Sequence, residues 1–248
     1  MINKSEAVIV KIECITNMHV GNGDVNYNII DNEVERDAVT GYPTINSSGV
    51  KGALREFFER RKEEGSIVTE DLVNGIFGKE GAGKLRFLSA DMLAIPARAN
   101  KGDEPYYLVS TAQAIETYKN KCNMFLGKQL ELVEENVKDR AVEGKDLNKC
   151  IKIKEFDNKE IHMLAHDEFR NIALPVLARN KLDNGKSVNL WYEEVVPHKS
   201  LFSFVVIAES VDKEYLSKFV EVIDNQIVQF GGNASIGYGL CKVKVEAI

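Results

Sequence analysis

Period-two alternation at both ends of the chain is the feature that most restricts its fold. Residues 7–16 (AVIVKIECIT) place Val8, Val10, Ile12 and Cys14 on one side, with Lys11 and Glu13 among those on the other. That is the pattern of a half-buried strand. Residues 240–246 (LCKVKVE) alternate again, and 201–208 (LFSFVVIA) read as a core strand. Between these last two, residues 212–224 put Tyr215, Leu216, Phe219, Val220 and Ile223 on one helical face.

The opening strand leads into a polar loop, His19-Val20-Gly21-Asn22-Gly23-Asp24, and then through 24–46 without helical period. Ser47 or Ser48 is placed to cap a helix over roughly 49–61, with Val50, Leu54, Phe57 and Phe58 as its apolar stripe. Lys51, Arg55, Glu59 and Lys62 line another face, so the first basic residue sits near amides suited to phosphate. A strand, loop and helix at the start, mirrored by strand, helix and strand at the end, suit an α+β fold. The expected core is a ferredoxin-like antiparallel sheet, the layout of the RNA-recognition motif, carrying large insertions. Residues 1–248 are read as one domain, with 64–170 as an inserted helical or irregular region. A strand is expected at 85–89 and helices at 111–119 and 124–139. The charged run Glu134–Arg140 is expected to be a solvated helix face followed by a loop.

In the segment 172–197, two extended runs (IALPVLARN and SVNLWYEEVV) flank Asp183-Asn184-Gly185. Asn-Gly is a strong hairpin signal. Pro175 and Pro197 discourage a central-strand assignment, so a projecting two-stranded finger is expected, with Trp191 and Tyr192 near its base.

Composition narrows the function less than it narrows the fold. A net charge of −6 argues against a protein that coats nucleic acid with its whole surface, but not against a local basic groove. The four cysteines, Cys14, Cys122, Cys150 and Cys241, form no CxxC pair, so neither a zinc ribbon nor a disulfide scaffold is indicated and a cytoplasmic setting is expected. Nothing at the N-terminus reads as a signal peptide. No run of 18 apolar residues exists, so no membrane partner is expected.

Gly78-Lys79-Glu80-Gly81-Ala82-Gly83-Lys84 approaches a phosphate-binding P-loop but fails where it matters. Leu85 replaces the Ser or Thr that would reach magnesium, and a strand follows where a helix is needed. The segment 231–239 (GGNASIGYG) offers close backbone approach and free amides for phosphate, or merely a tight connection before a strand. His162 and His166 are four apart and could share a helical face, yet no glutamate lies between them and packing roles are the simpler reading. His19 lies in the same loop region as Asp31 and could contact RNA phosphate or assist proton transfer. A loop acid could orient a ribose 2′-hydroxyl or hold a divalent cation, but Asp24, Glu33, Glu35 and Asp37 compete with Asp31 for that part.

Taken together, His19–Gly23, Ile29-Ile30-Asp31, Gly41–Ile45, Ser47–Arg55, Phe77-Gly78, Leu85–Asp91, Leu190–Pro197, Gly231–Asn233 and Ile236–Gly239 resemble the backbone subunit of type III-B (Cmr-type) CRISPR effector complexes. That subunit is a member of the repeat-associated mysterious protein (RAMP) superfamily, and the blocks follow its order across nearly the whole chain. The resemblance implies copies stacked helically along a CRISPR guide RNA beside other subunits of the complex. It also implies fingers that interrupt the guide–target duplex, and a divalent-metal-dependent endoribonuclease (Mg2+ or Mn2+) that cuts target RNA at regular intervals. It places the catalytic acid, and a possible metal ligand, on Asp31, with His19 auxiliary. Lys51 becomes the guide contact, joined in RNA binding by Arg55, Gly231, Gly232, Asn233, Gly237 and Gly239. Asp183, Asn184, Gly185, Trp191 and Tyr192 fall on the finger.

Two departures qualify the match. The chain is shorter than many relatives, and Ala234-Ser235 stands where many carry an acid. A backbone subunit that binds guide without cutting, or a guide-processing endoribonuclease of the same superfamily, are the rival readings; the Trp191–Pro197 block disfavours the second.

Overall fold

The computed structural model describes residues 5–23 and 29–246, so Asp24 lies outside the described residues. β1 (Ser5–Cys14) runs through the centre of the main sheet. On one side it pairs antiparallel with β11 (Leu201–Glu209), setting Val8 opposite Val206 and Ile12 opposite Phe202. On the other it pairs antiparallel with β13 (Leu240–Glu246), with Ile12 opposite Val243 and Cys14 opposite Cys241. β12 (Ile227–Gln229) lies beyond β13. Past β11 come β3 (Leu85–Phe87) and β4 (Ala90–Lys101), and the short β2 (Thr44–Ile45) pairs with β4.

The residues of β1 expected to face a core do so. Val8, Val10 and Ile12 join α1 (Ser47–Glu63), α2 (Glu70–Phe77) and α5 (Lys213–Ile223) in one apolar cluster. Its centre is aromatic: Phe58 stacks on Phe219 at 5.8 Å and Phe77 on Phe87 at 5.4 Å between ring centroids. Such pairs add to the area they bury. α1 begins at Ser47, not 49, and neither serine caps it. Asn46 precedes it and makes no side-chain cap bond.

β1 is not half-buried. Ala7 and Ile9, on its other side, are buried against Ile115, Tyr118 and Cys122 of α3 (Ala112–Leu126). Even Lys11 is enclosed, its Nζ donating to Glu155 O at 2.6 Å. The alternation could not reveal this, because a lysine that finds a buried carbonyl looks in sequence like one facing water.

Residues 64–170 are neither helical overall nor irregular. After α2 and β3, β4 continues out of the main sheet and pairs with β5 (Tyr106–Thr111). β5 pairs in parallel with β8 (Lys159–Leu164), β8 with β7 (Lys145–Ile153), β7 with β6 (Leu132–Val142), and β6 returns to β4. The five strands therefore close a ring. The helix expected over 124–139 does not form; the one expected at 111–119 is α3, which runs on to Leu126 and stops where Gly127 takes a left-handed conformation (φ 62°). The acidic run beyond it becomes strand through cross-strand charge pairing: Glu134 with Lys149 at 2.5 Å and Glu135 with Lys152 at 2.8 Å. His162 falls in β8 while His166 opens α4 (His166–Arg170), so they share no helical face.

β9 (Val176–Asp183) and β10 (Lys186–Glu194) form a two-stranded sheet of their own, exposed along most of its length. Asn184 (φ 47°) and Gly185 (φ 77°) are both left-handed, as the tight turn read from Asn-Gly demands.

Candidate functional site

Three loops converge on the last residues of β10. The segment after the undescribed residues 24–28 runs alongside Tyr192–Glu194. Asn32 forms a parallel bridge with Glu193, and Glu194 N–H donates to Asn32 O at 2.9 Å. Asp31 is fixed from both sides: its N–H donates to Tyr192 O at 3.0 Å, and one carboxylate oxygen accepts Tyr192 N–H at 2.8 Å. The residue stays exposed. Asp37, a competing acid, is occupied elsewhere. Its Oδ1 accepts from Val39 N–H, Thr40 N–H and the Thr40 hydroxyl, which hold its pKa below the ordinary value.

His19 comes from the second loop and is buried. Its Nδ1 is 2.7 Å from Glu194 O. A carbonyl only accepts, so Nδ1 carries a proton here, while Nε2 stands 4.0 Å from Glu193 Oε1. Gly21 allows this ring position, since a Cβ there would stand 3.1 Å from Nε2.

The third loop is 231–239. Gly232 N–H donates to His19 O at 2.9 Å, and Asn233 Nδ2 donates to Glu193 Oε1 at 2.8 Å. Gly231 is required twice over: its φ is +78°, and a Cβ would lie 2.3 Å from His19 O. Gly237 (φ +82°) caps a short helical turn with its N–H to Ala234 O, and Gly239 N–H reaches back to Asn17 O at 2.8 Å.

Sequence reasoning missed the charges that tie this site together. Glu193 and Glu194 are both buried. Glu194 accepts from Arg36 Nη2 at 2.6 Å and Val34 N–H at 3.1 Å, while Glu193 accepts from Arg179 Nη1 at 3.0 Å. The available signal was two adjacent acids at the base of an otherwise exposed strand. Adjacent strand residues face opposite ways, so two partners of opposite charge had to be found on two sides.

Asp31, His19, Trp191, Tyr192, Gly231, Gly232 and Asn233 are thus brought together. Lys51 and Arg55 are not joined to them by any contact among the described residues. Lys51 lines a separate cavity of about 670 Å³ with Ser47, Ser48, Gly83, Lys84 and Arg86. Gly83 and Lys84 of the P-loop-like segment therefore sit beside the helix start that the segment itself lacks. Arg55 donates to Gly78 O at 3.0 Å, holding the end of α2. Asp183, Asn184 and Gly185 occupy the far tip of the hairpin, roughly 20 Å along β10 from Tyr192 at strand rise.

Among the described residues, three side chains that could share a metal are Cys150, Glu160 and His162, away from Asp31. A guanidinium already serves them: Arg140 Nη1 lies 2.8 Å from Glu160 Oε2 and 3.0 Å from His162 Nε2. Burial, reinforced by Arg140, pushes the His162 pKa down. This is a satisfied packing cluster.

A sequence profile described as the RAMP superfamily matches residues 11–242. The CRISPR system Cmr endoribonuclease Cmr4 of Pyrococcus furiosus is 24% identical over 293 aligned residues, covering 98% of this chain and 97% of that protein. The CRISPR system CMR subunit Cmr4 of Saccharolobus solfataricus is 28% identical over 112 residues, 44% of this chain and 36% of that protein. A crystal structure of oligomeric Cmr4 from P. furiosus superposes with a TM-score of 0.73 at 21% identity, covering 98% of both chains. A cryo-EM structure of the type III-B Cmr-beta bound to cognate target RNA gives 0.73 at 21%, covering 96% of both.

Proposed function

The chain belongs to the RAMP superfamily, and from that premise we propose that it is the repeated backbone subunit of a cytoplasmic type III-B CRISPR ribonucleoprotein that binds guide RNA and cuts complementary target RNA. The observation that carries the cutting activity is the seat of Asp31: an exposed carboxylate, held by Tyr192 N–H, at the base of the β9–β10 hairpin. The sheet order β13-β1-β11-β4, with α1 and α5 packed in one cluster, supports a ferredoxin-like core. We read the hairpin as the finger that parts guide from target beside each cut.

Cleavage proceeds by attack of a target 2′-hydroxyl on the adjacent phosphorus. The O2′–P bond forms and the P–O5′ bond breaks, leaving a 2′,3′-cyclic phosphate and a 5′-hydroxyl. Asp31 orients that hydroxyl and accepts its proton while the departing O5′ takes a proton from water, and fixing one Asp31 oxygen on Tyr192 N–H leaves the other for this task. His19 is too enclosed to meet RNA broadly; its Nδ1–H bond to Glu194 O ties residues 19–23 to the end of β10. Asp31 would be the residue to hold a divalent cation, Mg2+ or Mn2+, and the ion would supply neutralisation of charge on the phosphate. Lys51 and the glycine loop hold RNA backbone. Arg55, being tied to Gly78, contributes mainly through the helix it steadies.

Denaturing gels of the assembled complex with guide, complementary target and Mg2+ test this reading. Regularly spaced target fragments bearing cyclic phosphate support it. Intact target would mark a non-cutting scaffold, and a shortened guide precursor would mark a processing enzyme.

A further inference from the structure

The structure assigns to Arg179 and Glu193 a positioning role in target cleavage, as a half-buried charge lock that fastens the hairpin base to the glycine loop and so holds the peptide that orients Asp31. The inference rests on the reading of Asp31 as the catalytic carboxylate.

Strand register makes the lock. Arg179 lies directly across from Trp191, and Glu193, two residues on, shares their face of the hairpin. The Arg179 guanidinium donates to Glu193 Oε2 at 3.0 Å and lies over two rings, Trp191 at 5.5 Å and Tyr238 at 5.6 Å. Tyr238 belongs to the glycine loop, so one planar cation joins both strands of the hairpin to a segment distant in sequence. A lysine could not reproduce this, because only a planar guanidinium stacks on rings while donating in its plane.

Glu193 completes the fastening. Its side chain is 4% exposed. Besides Arg179 it accepts Asn233 Nδ2 at 2.8 Å, and His19 Nε2 stands 4.0 Å from the same Oε1. One carboxylate thus gathers the hairpin, the glycine loop and the His19 loop. The residue before it is Tyr192, whose N–H and C=O both bond Asp31. Rotation of the strand at Glu193 therefore turns the donor that aims the Asp31 carboxylate. A displacement of about 1 Å at a reacting group can cost on the order of a hundredfold in rate. Neither Arg179 nor Glu193 reaches the RNA in this scheme; each acts through Tyr192 and Asp31.

The test uses the complete guide-loaded complex under single-turnover conditions with saturating complementary target. Arg179→Met keeps the aliphatic stem and removes the cation, leaving buried Glu193 with the Asn233 amide as donor and the His19 ring 4.0 Å away. Its cleavage rate should fall about tenfold or more with target affinity and subunit stoichiometry unchanged. Arg179→Lys should remain impaired. Glu193→Gln, which keeps the shape and an acceptor for Asn233, should fall less. The swap Arg179→Glu with Glu193→Arg should also stay impaired, because it restores the charge pair but leaves no cation over Trp191 and Tyr238. Wild-type rates in Arg179→Met overturn the inference, as does a rate loss that merely follows lost affinity. Should Arg179→Met fail to assemble, Glu193→Gln and the swap decide by the same rate comparison. Failure of the underlying reading looks different: wild type would not cut, or Asp31→Asn would cut normally.

Discussion

Asp31 and Tyr192 form a closed pair in which each residue holds the other. The Asp31 N–H donates to Tyr192 O, and Tyr192 N–H donates to the Asp31 carboxylate. An acid in an aperiodic loop is thereby given the orientation of a strand. Asp31→Asn preserves size and can still accept Tyr192 N–H through its carbonyl oxygen, while losing charge and basicity. Complex assembly and target affinity should stay nearly unchanged, and cleavage should fall roughly a hundredfold or more. All cut positions should fade together, since identical copies make each one. Loss of a single position in gel time courses would refute the repeated-subunit reading, and persistence of every product would clear Asp31 of the role.

The hairpin tip is separable from the site. Asp183–Lys186 is exposed and turns through two left-handed residues, so it supports no core. Replacing the outer turn and its adjoining residue pairs by a shorter Asn-Gly turn should leave the unfolding temperature within about 2 °C of wild type. Cutting should become slower or less regular. Regular cleavage at full rate would place the element that parts the strands elsewhere.

The parts of the fold that were legible in sequence are those whose residues answer to local rules. The 7–16 and 240–246 strands, the stripe on α5 and the Asn184-Gly185 turn all follow period or turn chemistry, and each is present, the first set two residues earlier as Ser5–Cys14. What failed depends on a partner that local pattern does not specify. β6 reads as a helix in sequence because its charges resemble a solvated face until Lys149 and Lys152 of β7 pair with them diagonally. The site shows the same division. Asp31, His19 and the glycine loop are conspicuous as loop residues, whereas Arg179 and Arg36 look like ordinary surface cations until Glu193 and Glu194 are found buried against them.

Two glycines of the closing loop should respond differently to alanine. At Gly237 the added methyl meets open space, so only the left-handed backbone is strained, costing roughly 1–2 kcal/mol. At Gly231 the same strain is joined by a collision with His19 O, and the Gly232–His19 bond must shift too. Thermal unfolding should show a clearly larger loss for Gly231→Ala than for Gly237→Ala. Equal losses would mean that the loop yields and leaves His19 undisturbed.

His162 should make the fold acid-sensitive. Its folded-state pKa lies below the ordinary 6.5, first through burial and then through Arg140. The unfolded chain therefore takes up a proton that folded His162 refuses. The resulting stability is fully present above 6.5 and is lost as pH falls from there toward the lowered folded value, with a slope of at most about 1.4 kcal/mol per pH unit for one proton. His162→Gln retains an acceptor for Arg140 and cannot titrate. Urea unfolding between pH 7.5 and 5 should show a shallower decline for the variant, and parallel curves would assign the acid sensitivity to other groups.

Lys51 offers the cleanest separation of holding RNA from cutting it. It lines the cavity at the start of α1 with Ser47, Ser48 and Lys84, and no contact among the described residues links it to Asp31. Lys84 and Arg86 in the same cavity face acids, Asp212 at 3.5 Å and Glu209 at 2.7 Å, which partly cancel their charge. A phosphate held there owes much of its attraction to Lys51. Lys51→Ala should weaken guide binding evenly across guide sequences and reduce the slope of log affinity against log salt by about 0.7, the share of one phosphate on a single strand. Lys51→Glu should weaken binding further and reduce recovery of assembled complex. Once complexes carrying Lys51→Ala are isolated with guide bound, their target should be cut at nearly the normal rate, because Asp31 and its partners on β10 are untouched. An unchanged salt slope in correctly folded Lys51→Ala would remove the phosphate contact, and a cleavage defect in fully loaded complexes would show that this cavity reaches the chemistry after all.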